Sequence, residues 1–133
     1  MAFKLGDKRS TTVQVTDKMI HQFAEMSGDF NPIHVDDEYA KNTRFGKRIA
    51  HGMISGALIS RTLATELGRG GIYLAQTLKF LKPVFIDDTI TVELEVKAIR
   101  ESSGIAAIDT VVRNQHGDIV VKGEATIMKG DHL

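Results

Sequence analysis

The sequence predicts an α+β fold, in which an antiparallel β-sheet wraps around a long central helix. The helix is predicted from a segment that begins near Gly52, is apolar on more than one face and ends in the glycine-rich run 67–71. A helix that is apolar nearly all round is a buried one. The sheet is predicted from the second half of the chain, where strand-like segments are separated by short turns, as in antiparallel meanders.

The first half of the chain predicts one strand followed by short helices. Residues 11–16 alternate and are rich in β-branched side chains, which indicates a strand. Thr16 or Asp17 then has the character of a helix N-cap, and Gly28 stops that helix. A second short helix is expected over 36–42, with three acidic residues at its start, where the helix dipole favours them. A solvated helix start explains those acids better than a metal site does.

The second half predicts mostly strands. The segment 89–96 alternates strictly, which indicates a strand with one solvated face. Pro83 suggests a bulge or an edge position. We predict the strands at 72–80 with a continuation at 83–85, at 89–96, at 105–113 and at 119–128.

Length and composition narrow the class of protein. The 133 residues contain no internal repeat or linker, so we expect one domain over 1–133. Lysine plus arginine and aspartate plus glutamate number 17 each, and this balance argues against nucleic acid or an anionic membrane as a partner. The absence of cysteine excludes disulfides and thiol nucleophiles. No apolar run approaches the roughly 20 residues of a membrane span, and the first residues begin no signal-peptide pattern. We expect a cytoplasmic protein, with a processed mitochondrial form as the alternative.

The segment 27–34, Ser-Gly-Asp-Phe-Asn-Pro-Ile-His, places a carboxylate and an imidazole five positions apart. Proline fixes its own φ and disfavours a helical conformation for the residue before it, so Asp29 and His34 are expected on irregular backbone between two regular elements. Such a pair at the mouth of a pocket can hold one water between its members and move its protons. The alternative is an Asx-turn that closes a helix, with a histidine that satisfies a nearby carbonyl.

Together with His51-Gly52-Met53, this segment resembles the MaoC-like, (R)-specific enoyl-CoA hydratase family of the hot-dog fold. The resemblance runs through residues 23–40 and 44–53 and continues at 72–74 and 80–84. It implies syn addition of water to a trans-2-enoyl-CoA, giving an (R)-3-hydroxyacyl-CoA, without a cofactor or a metal. It also implies a homodimer that forms through a sheet edge.

The resemblance assigns roles to four residues. Asp29 and His34 are expected to be the catalytic pair, Asn31 is expected to hold the loop, and the Gly52 backbone N–H is expected to bind the thioester oxygen. A physical argument supports the last role, because the first N–H groups of a helix lack internal partners and lie at its positive end. His51 is expected to be structural.

The substrate itself suggests further candidates. An acyl chain needs apolar lining, and the phosphates of CoA need cations. The acyl candidates are Met53, Leu58, Ile72 and Leu74, with Ser60 as an undecided fifth. The phosphate candidates are Arg44, Lys47 and Arg48, with Arg69, Lys79 and Lys82 as further cations.

Three other functions remain open from the sequence. The first is the reverse reaction, a (3R)-hydroxyacyl-thioester dehydratase of fatty-acid synthesis acting on CoA or acyl-carrier protein. The second is a hot-dog acyl-CoA thioesterase, which needs a carboxylate on the central helix, whereas Glu66 comes only near its end. The third is a non-catalytic acyl-thioester binding module, which has no need of both Asp29 and His34.

Overall fold

The computed structural model describes residues 3–133 and arranges them as a sheet with helices packed on it. In chain order the elements are β1 (Lys8–Gln14), α1 (Asp17–Ser27), α2 (Pro32–Val35), α3 (Asp37–Lys41), α4 (Gly52–Thr62), β2 (Ile72–Gln76), β3 (Lys79–Phe80), β4 (Thr89–Arg100), β5 (Ile105–Arg113) and β6 (Ile119–Met128). One π-helical turn, Leu63–Leu67, extends α4, and a 3₁₀ turn, Gly130–His132, follows β6.

The sheet is antiparallel, with the strand order β1-β4-β5-β6-β2, and β3 pairs with β6 beside β2. Its register runs across four strands through Val92 of β4, which lies opposite Thr11 of β1 and Val112 of β5. Val112 in turn lies opposite Val121 of β6. The two ends of this path are β1 and β2, so the described sheet has open edges there.

The core lies between the sheet and α4. Along residues 89–96 of β4 and along β5 every second side chain is buried, which is the period-two pattern of a strand with one covered face. The helix contributes Ile54, Ile59, Leu63 and Leu67 to the same cluster as the buried strand residues. Thr62 is also buried, and its hydroxyl donates to the Leu58 carbonyl at 2.7 Å. Within residues 3–133 no helix has the length and apolar character needed to cross a membrane.

The helical first half follows its local capping signals. The Thr16 hydroxyl accepts a hydrogen bond from the Met19 N–H at 3.3 Å, which confirms the predicted N-cap of α1. Gly28 has a φ of 80° and donates its N–H to the Ala24 carbonyl at 2.8 Å, so it ends the helix as predicted. The short acidic helix is also present, as α3.

The prediction of irregular backbone at His34 is wrong, because His34 lies inside the short helix α2. Gly28 already ends α1, and Pro32 is the first residue of α2, where its missing N–H costs nothing. Asn31 caps that helix, with its side-chain oxygen accepting the Ile33 N–H at 3.3 Å. Asp29 does lie between helices, as expected.

Four strand predictions need correction. The strand predicted at 11–16 is Lys8–Gln14, which begins three residues earlier and ends two residues before the N-cap Thr16. The segment 72–80 is split into β2 and β3, because Thr77 and Leu78 belong to neither strand and the Thr77 carbonyl lies against Gly123. The register shift in the pairing of β2 with β6 lies earlier, between Tyr73 and Ala75. The segment 83–85 forms no strand but one isolated bridge, between Ile49 and Phe85. The strand at 89–96 runs on to Arg100, and the strands at 105–113 and 119–128 are confirmed.

Candidate active site

A cavity of about 450 Å³ opens at the start of α4. It brings together His34 from α2, His51 and Gly52 from the start of α4, and Phe80 from β3. Buried Ser55 of α4 also lines it. His34 belongs to the predicted motif at 27–34 and Gly52 to the predicted motif at 51–53, so the two motifs meet at this cavity.

A larger depression of about 530 Å³ lies over β1, β4 and β5. Its lining carries charges of both signs that already neutralise one another, as in the ion pair between Arg113 and Glu93 at 3.0 Å. It contains no histidine and no helix start. We therefore assign the candidate site to the cavity at α4.

The turn that carries Asp29 is held by its own hydrogen bonds. The Asp29 N–H donates to the Ser27 hydroxyl oxygen at 3.1 Å, and that hydroxyl donates to the Phe23 carbonyl at 2.7 Å. One Asp29 carboxylate oxygen accepts the Asn31 N–H at 3.2 Å. This is the Asx-turn of the alternative hypothesis, yet the exposed carboxylate keeps a second oxygen for another partner. Asp29 lies beside His34, although it is not part of the cavity lining.

His34 is held in one tautomer by the backbone. Its Nδ1 lies 2.8 Å from the Ile49 carbonyl oxygen, which can only accept, so Nδ1 carries the proton. The other ring nitrogen, Nε2, therefore keeps a free lone pair. The Ile49 N–H donates to the Ile33 carbonyl at 3.2 Å, so the loop that orients His34 is itself bonded to α2.

Asp29, His34 and His51 form one cluster. One carboxylate oxygen of Asp29 and one ring nitrogen of each histidine lie within 4.8 Å of one another. A water that makes hydrogen bonds of about 2.8 Å to two groups joins atoms roughly 4.5–5 Å apart. The spacing therefore suits a water bridging the Asp29 carboxylate and the His34 imidazole.

The same cluster has the residue types of a metal site but poor geometry for one. The ring centroids of His34 and His51 are 4.0 Å apart and their planes are inclined by only 29°. An ion must lie close to the plane of each imidazole that binds it, since the lone pair lies in that plane. With nearly parallel, stacked rings, an ion in one plane is well out of the other.

Gly52 begins α4, and its backbone N–H is one of the donors that a helix cannot satisfy internally. A side chain at this position would require the exposed ring of Phe80 to shift, because an added Cβ would lie 2.7 Å from Cε1 of that ring. The absence of a side chain leaves the N–H of Gly52 open to the cavity, as expected for a donor to a substrate oxygen.

The structure brings only some of the predicted phosphate-binding cations to the cavity. Arg44 lines it, and so does Lys82. Lys47 does not, and its ammonium lies 4.5 Å from the ring centroid of Phe85. Arg44 and Lys82 are exposed, so their charges are accessible to a ligand at the mouth of the cavity.

The expectation that Arg48 contacts phosphate needs correction. Arg48 is only 7% exposed, and its guanidinium forms ion pairs with Asp17 and, at 3.4 Å, with Asp37. These carboxylates stand in the first turns of α1 and α3, so the arginine ties two helix starts together. The charge of Arg48 is therefore already paired with two carboxylates of the protein.

The residues predicted to contact the acyl chain lie at different places in the structure. Met53 lines the main cavity, whereas Ser60 and Ile72 line a second, smaller cavity of about 80 Å³ with Tyr73. Burial raises the pKa of the Tyr73 phenol there. Leu74 lies exposed on the edge strand β2 and lines neither cavity. Leu58 faces a shallow depression between α1 and α4.

Sequence reasoning missed Phe80 as a site residue. Its ring covers Gly52, which no sequence pattern could reveal, because the contact depends on the pairing of the two-residue strand β3 with β6. His51 was expected to be structural, yet it contacts both Asp29 and His34. The sequence separation of His51 and His34 does not predict that their rings stack.

Comparison with known proteins agrees with this site. The MaoC like domain matches residues 3–118. The (R)-specific enoyl-CoA hydratase of Aeromonas caviae is 39% identical over 127 residues, covering 95% of each chain. The 3-hydroxybutyryl-CoA dehydratase of Methylorubrum extorquens is 43% identical over 110 residues, covering 79% of this chain and 67% of that protein.

Among solved structures, the unliganded R-hydratase PhaJ1 of Pseudomonas aeruginosa superposes with a TM-score of 0.91 at 47% identity. The match covers 96% of this chain and 82% of that one. The α+β architecture with a central helix is therefore the predicted hot-dog fold. On the strength of the domain match and these relatives, the chain belongs to the MaoC-like domain family.

Proposed function

We propose that this chain is an (R)-specific enoyl-CoA hydratase, which adds water to a trans-2-enoyl-CoA. The observation that carries the proposal is that a carboxylate oxygen of Asp29 and a ring nitrogen of His34 lie within 4.8 Å of each other, near the start of α4 at Gly52. Each of the two side chains keeps one atom that is not bonded to the backbone. Relatives with hydratase and dehydratase names give the substrate class.

In this proposal the Asp29–His34 pair binds the attacking water from two sides. The water oxygen bonds to C3 of the enoyl thioester while the pair accepts one of its protons. The pair then delivers a proton to C2, so the π bond between C2 and C3 is replaced by one new C–O bond and one new C–H bond. Because both groups approach from one face, the addition is syn. The two groups are coupled, so the proton acceptor is the pair rather than either residue alone. General acid–base assistance of this kind gives roughly 10²–10⁴ in rate.

Gly52 supplies the third element of the mechanism. As C3 is attacked, negative charge develops on the thioester oxygen, and the N–H at the positive end of α4 stabilises it. The lining of the cavity that contains Gly52 also includes the apolar side chains of Phe80, Val84 and Val121. Asn31 contributes by capping α2 and thus holding His34.

Arg44 and Lys82 are proposed to meet the phosphates of CoA at the cavity mouth, with Lys47 nearby. Met53 is proposed to contact the acyl chain, whose far end we assign to the smaller cavity at Ser60 and Ile72. Leu74 has no support for a substrate role.

The reverse reaction is the second candidate, since the relative from Methylorubrum extorquens is named a dehydratase. The same groups serve both directions, because a catalyst lowers one barrier for both. A thioesterase has no support, since α4 carries no carboxylate in Gly52–Thr62 and Glu66 lies in the π-helical turn beyond it.

We also propose a homodimer formed through the β2 edge, and a cytoplasmic location. Support for the dimer comes from large apolar side chains that are exposed around this edge. They are Met53, Ile72, Tyr73, Leu74, Phe80 and Leu81. Light scattering during size-exclusion chromatography tests it, and a monomer at micromolar concentration would contradict it.

The activity is tested with purified protein and crotonyl-CoA. Loss of the absorbance of the conjugated double bond, with (R)-3-hydroxybutyryl-CoA as the product on a chiral column, is the expected result. Release of free thiol without loss of the double bond would indicate a thioesterase. No change in either signal, with crotonyl-acyl-carrier protein also unchanged, would leave a binding module and overturn the proposal.

A further inference from the structure

We propose that His51 is a positioning residue, which fixes the relative placement of Asp29, His34 and Gly52. The inference rests on the proposed hydration activity and deepens it. His51 itself is assigned no proton transfer. Three independent contacts of this one residue carry the argument.

The first contact is with the backbone of Asp29. Nε2 of His51 lies 2.9 Å from the Asp29 carbonyl oxygen, and since a carbonyl only accepts, Nε2 is the donor. The Asp29 turn is otherwise bonded only to its own neighbours, Ser27 and Asn31. Among the hydrogen bonds of the described residues, the one from His51 is therefore what connects this turn to a distant part of the chain.

The second contact is with the ring of His34. The two imidazoles stack at 4.0 Å, and His51 also packs against Phe23, with ring centroids 4.8 Å apart. The hydrogen bond to Ile49 anchors one nitrogen of His34 but leaves the ring free to rotate about that bond. The stacked His51 ring removes this freedom and so sets the direction of the Nε2 lone pair.

The third contact is through the chain itself. His51 directly precedes Gly52, and its carbonyl oxygen accepts the Ile54 N–H at 3.0 Å in the first turn of α4. The side chain of His51 therefore joins the acid and the imidazole to the residue that presents the proposed oxyanion donor. A shift of His51 would move all three groups relative to one another, and a misplacement of about 1 Å can cost roughly 100-fold in rate.

The side chain of His51 is itself held in place. The residue is only 3% exposed, and its ring packs against Phe23 and His34 while it donates to the Asp29 carbonyl. A buried ring with these contacts has little freedom to move, so it can hold Asp29 and His34 at a fixed separation.

The test compares variants that keep either the ring or the donor. His51→Phe keeps a ring to stack on His34 but deletes the donor to Asp29, and His51→Gln keeps an amide N–H near the position of Nε2. We expect kcat of His51→Phe on crotonyl-CoA to fall about 100-fold with KM within about threefold, and His51→Gln to recover at least tenfold of that loss. His116→Gln, on the exposed turn between β5 and β6, is the matched control and should match the wild type.

Thermal midpoints separate placement from folding. A placement role predicts that His51→Phe stays folded while its kcat falls. If His51→Phe does not fold, His51→Asn, whose amide is too short to reach the Asp29 carbonyl, takes its place with the same expectation. Wild-type kcat in the folded variant, or no recovery by His51→Gln, would overturn the positioning role alone. An inactive wild type would overturn the proposed hydration and this role together.

Discussion

Two aspartate–histidine pairs in the first half of the described chain, Asp17 with His21 and Asp29 with His34, differ in how their side chains are held. Asp17 and His21 stand one turn apart on α1, with 3.3 Å between carboxylate and imidazole and about half of each side chain exposed. Asp29 and His34 stand on a turn and on α2, each fixed by hydrogen bonds to or from the backbone. Proximity alone is better in the first pair, yet only the second adjoins a cavity.

The comparison teaches what a useful acid–base pair requires. Exposed surface pairs contribute little, since water competes for both members and their side chains move. At Asp29 and His34 one atom of each side chain is used for anchoring, and the other is left for a ligand. The hydrogen bonds to the backbone leave both groups able to react, because the second oxygen of Asp29 and Nε2 of His34 remain available.

The largest expected effect comes from Asp29→Asn, which keeps an oxygen for the Asn31 N–H but removes the charge. We expect kcat for crotonyl-CoA to fall by about 10²–10⁴, with little change in KM or in thermal midpoint. Steady-state hydration kinetics beside a melting curve measure both. An Asn variant with wild-type kcat would mean that the turn matters and the carboxylate does not.

The next effect comes from Gly52→Ala. The added methyl would lie 2.7 Å from Cε1 of Phe80, so the outer end of that ring must shift to accept it. We expect the protein to fold and kcat to fall by about 10²–10³, because the methyl also obstructs the approach of the substrate oxygen to the N–H.

A double variant separates the two causes of that loss. Gly52→Ala with Phe80→Ala relieves the clash but keeps the methyl beside the N–H. If the oxyanion role is correct, the double variant stays as slow as Gly52→Ala. Recovery to the rate of Phe80→Ala alone would show that the ring, rather than the N–H, had been disturbed.

The smallest effect is expected from the cations at the cavity. Arg44→Ala or Lys82→Ala should raise KM for crotonyl-CoA several-fold with kcat nearly unchanged, and the change should shrink as salt increases. Arg69→Ala is the matched control, since Arg69 lines neither the main nor the smaller cavity. Equal KM values in all three variants would remove the proposed phosphate contacts.

The sequence predicted most of the regular structure, because its signals are local. The caps at Thr16 and Gly28 and the strands 105–113 and 119–128 follow from capping, alternation and turns alone. The error at His34 came from treating Pro32 as a helix breaker, when the same residue starts a helix well.

The site was only partly accessible from sequence for a physical reason. Asp29, His34 and Gly52 belong to recognisable segments, but Arg48, Phe80 and His51 acquire their roles through long-range contacts. Arg48 was expected at the surface because arginine usually is, and only the structure brings it to Asp17 and Asp37. No local pattern encodes such partners.

The most direct test of the account compares His34→Asn with His21→Asn. Asparagine can keep the Nδ1-type hydrogen bond to the Ile49 carbonyl while it removes the Nε2 lone pair, so it removes one member of the proposed acid–base pair and keeps the hydrogen bond that orients it. The proposed acid–base role of Asp29 and His34 predicts that kcat on crotonyl-CoA falls at least about 100-fold in folded His34→Asn. The same role predicts that kcat of His21→Asn stays within about twofold of wild type. A folded His34→Asn protein that hydrates crotonyl-CoA at the wild-type rate would contradict it.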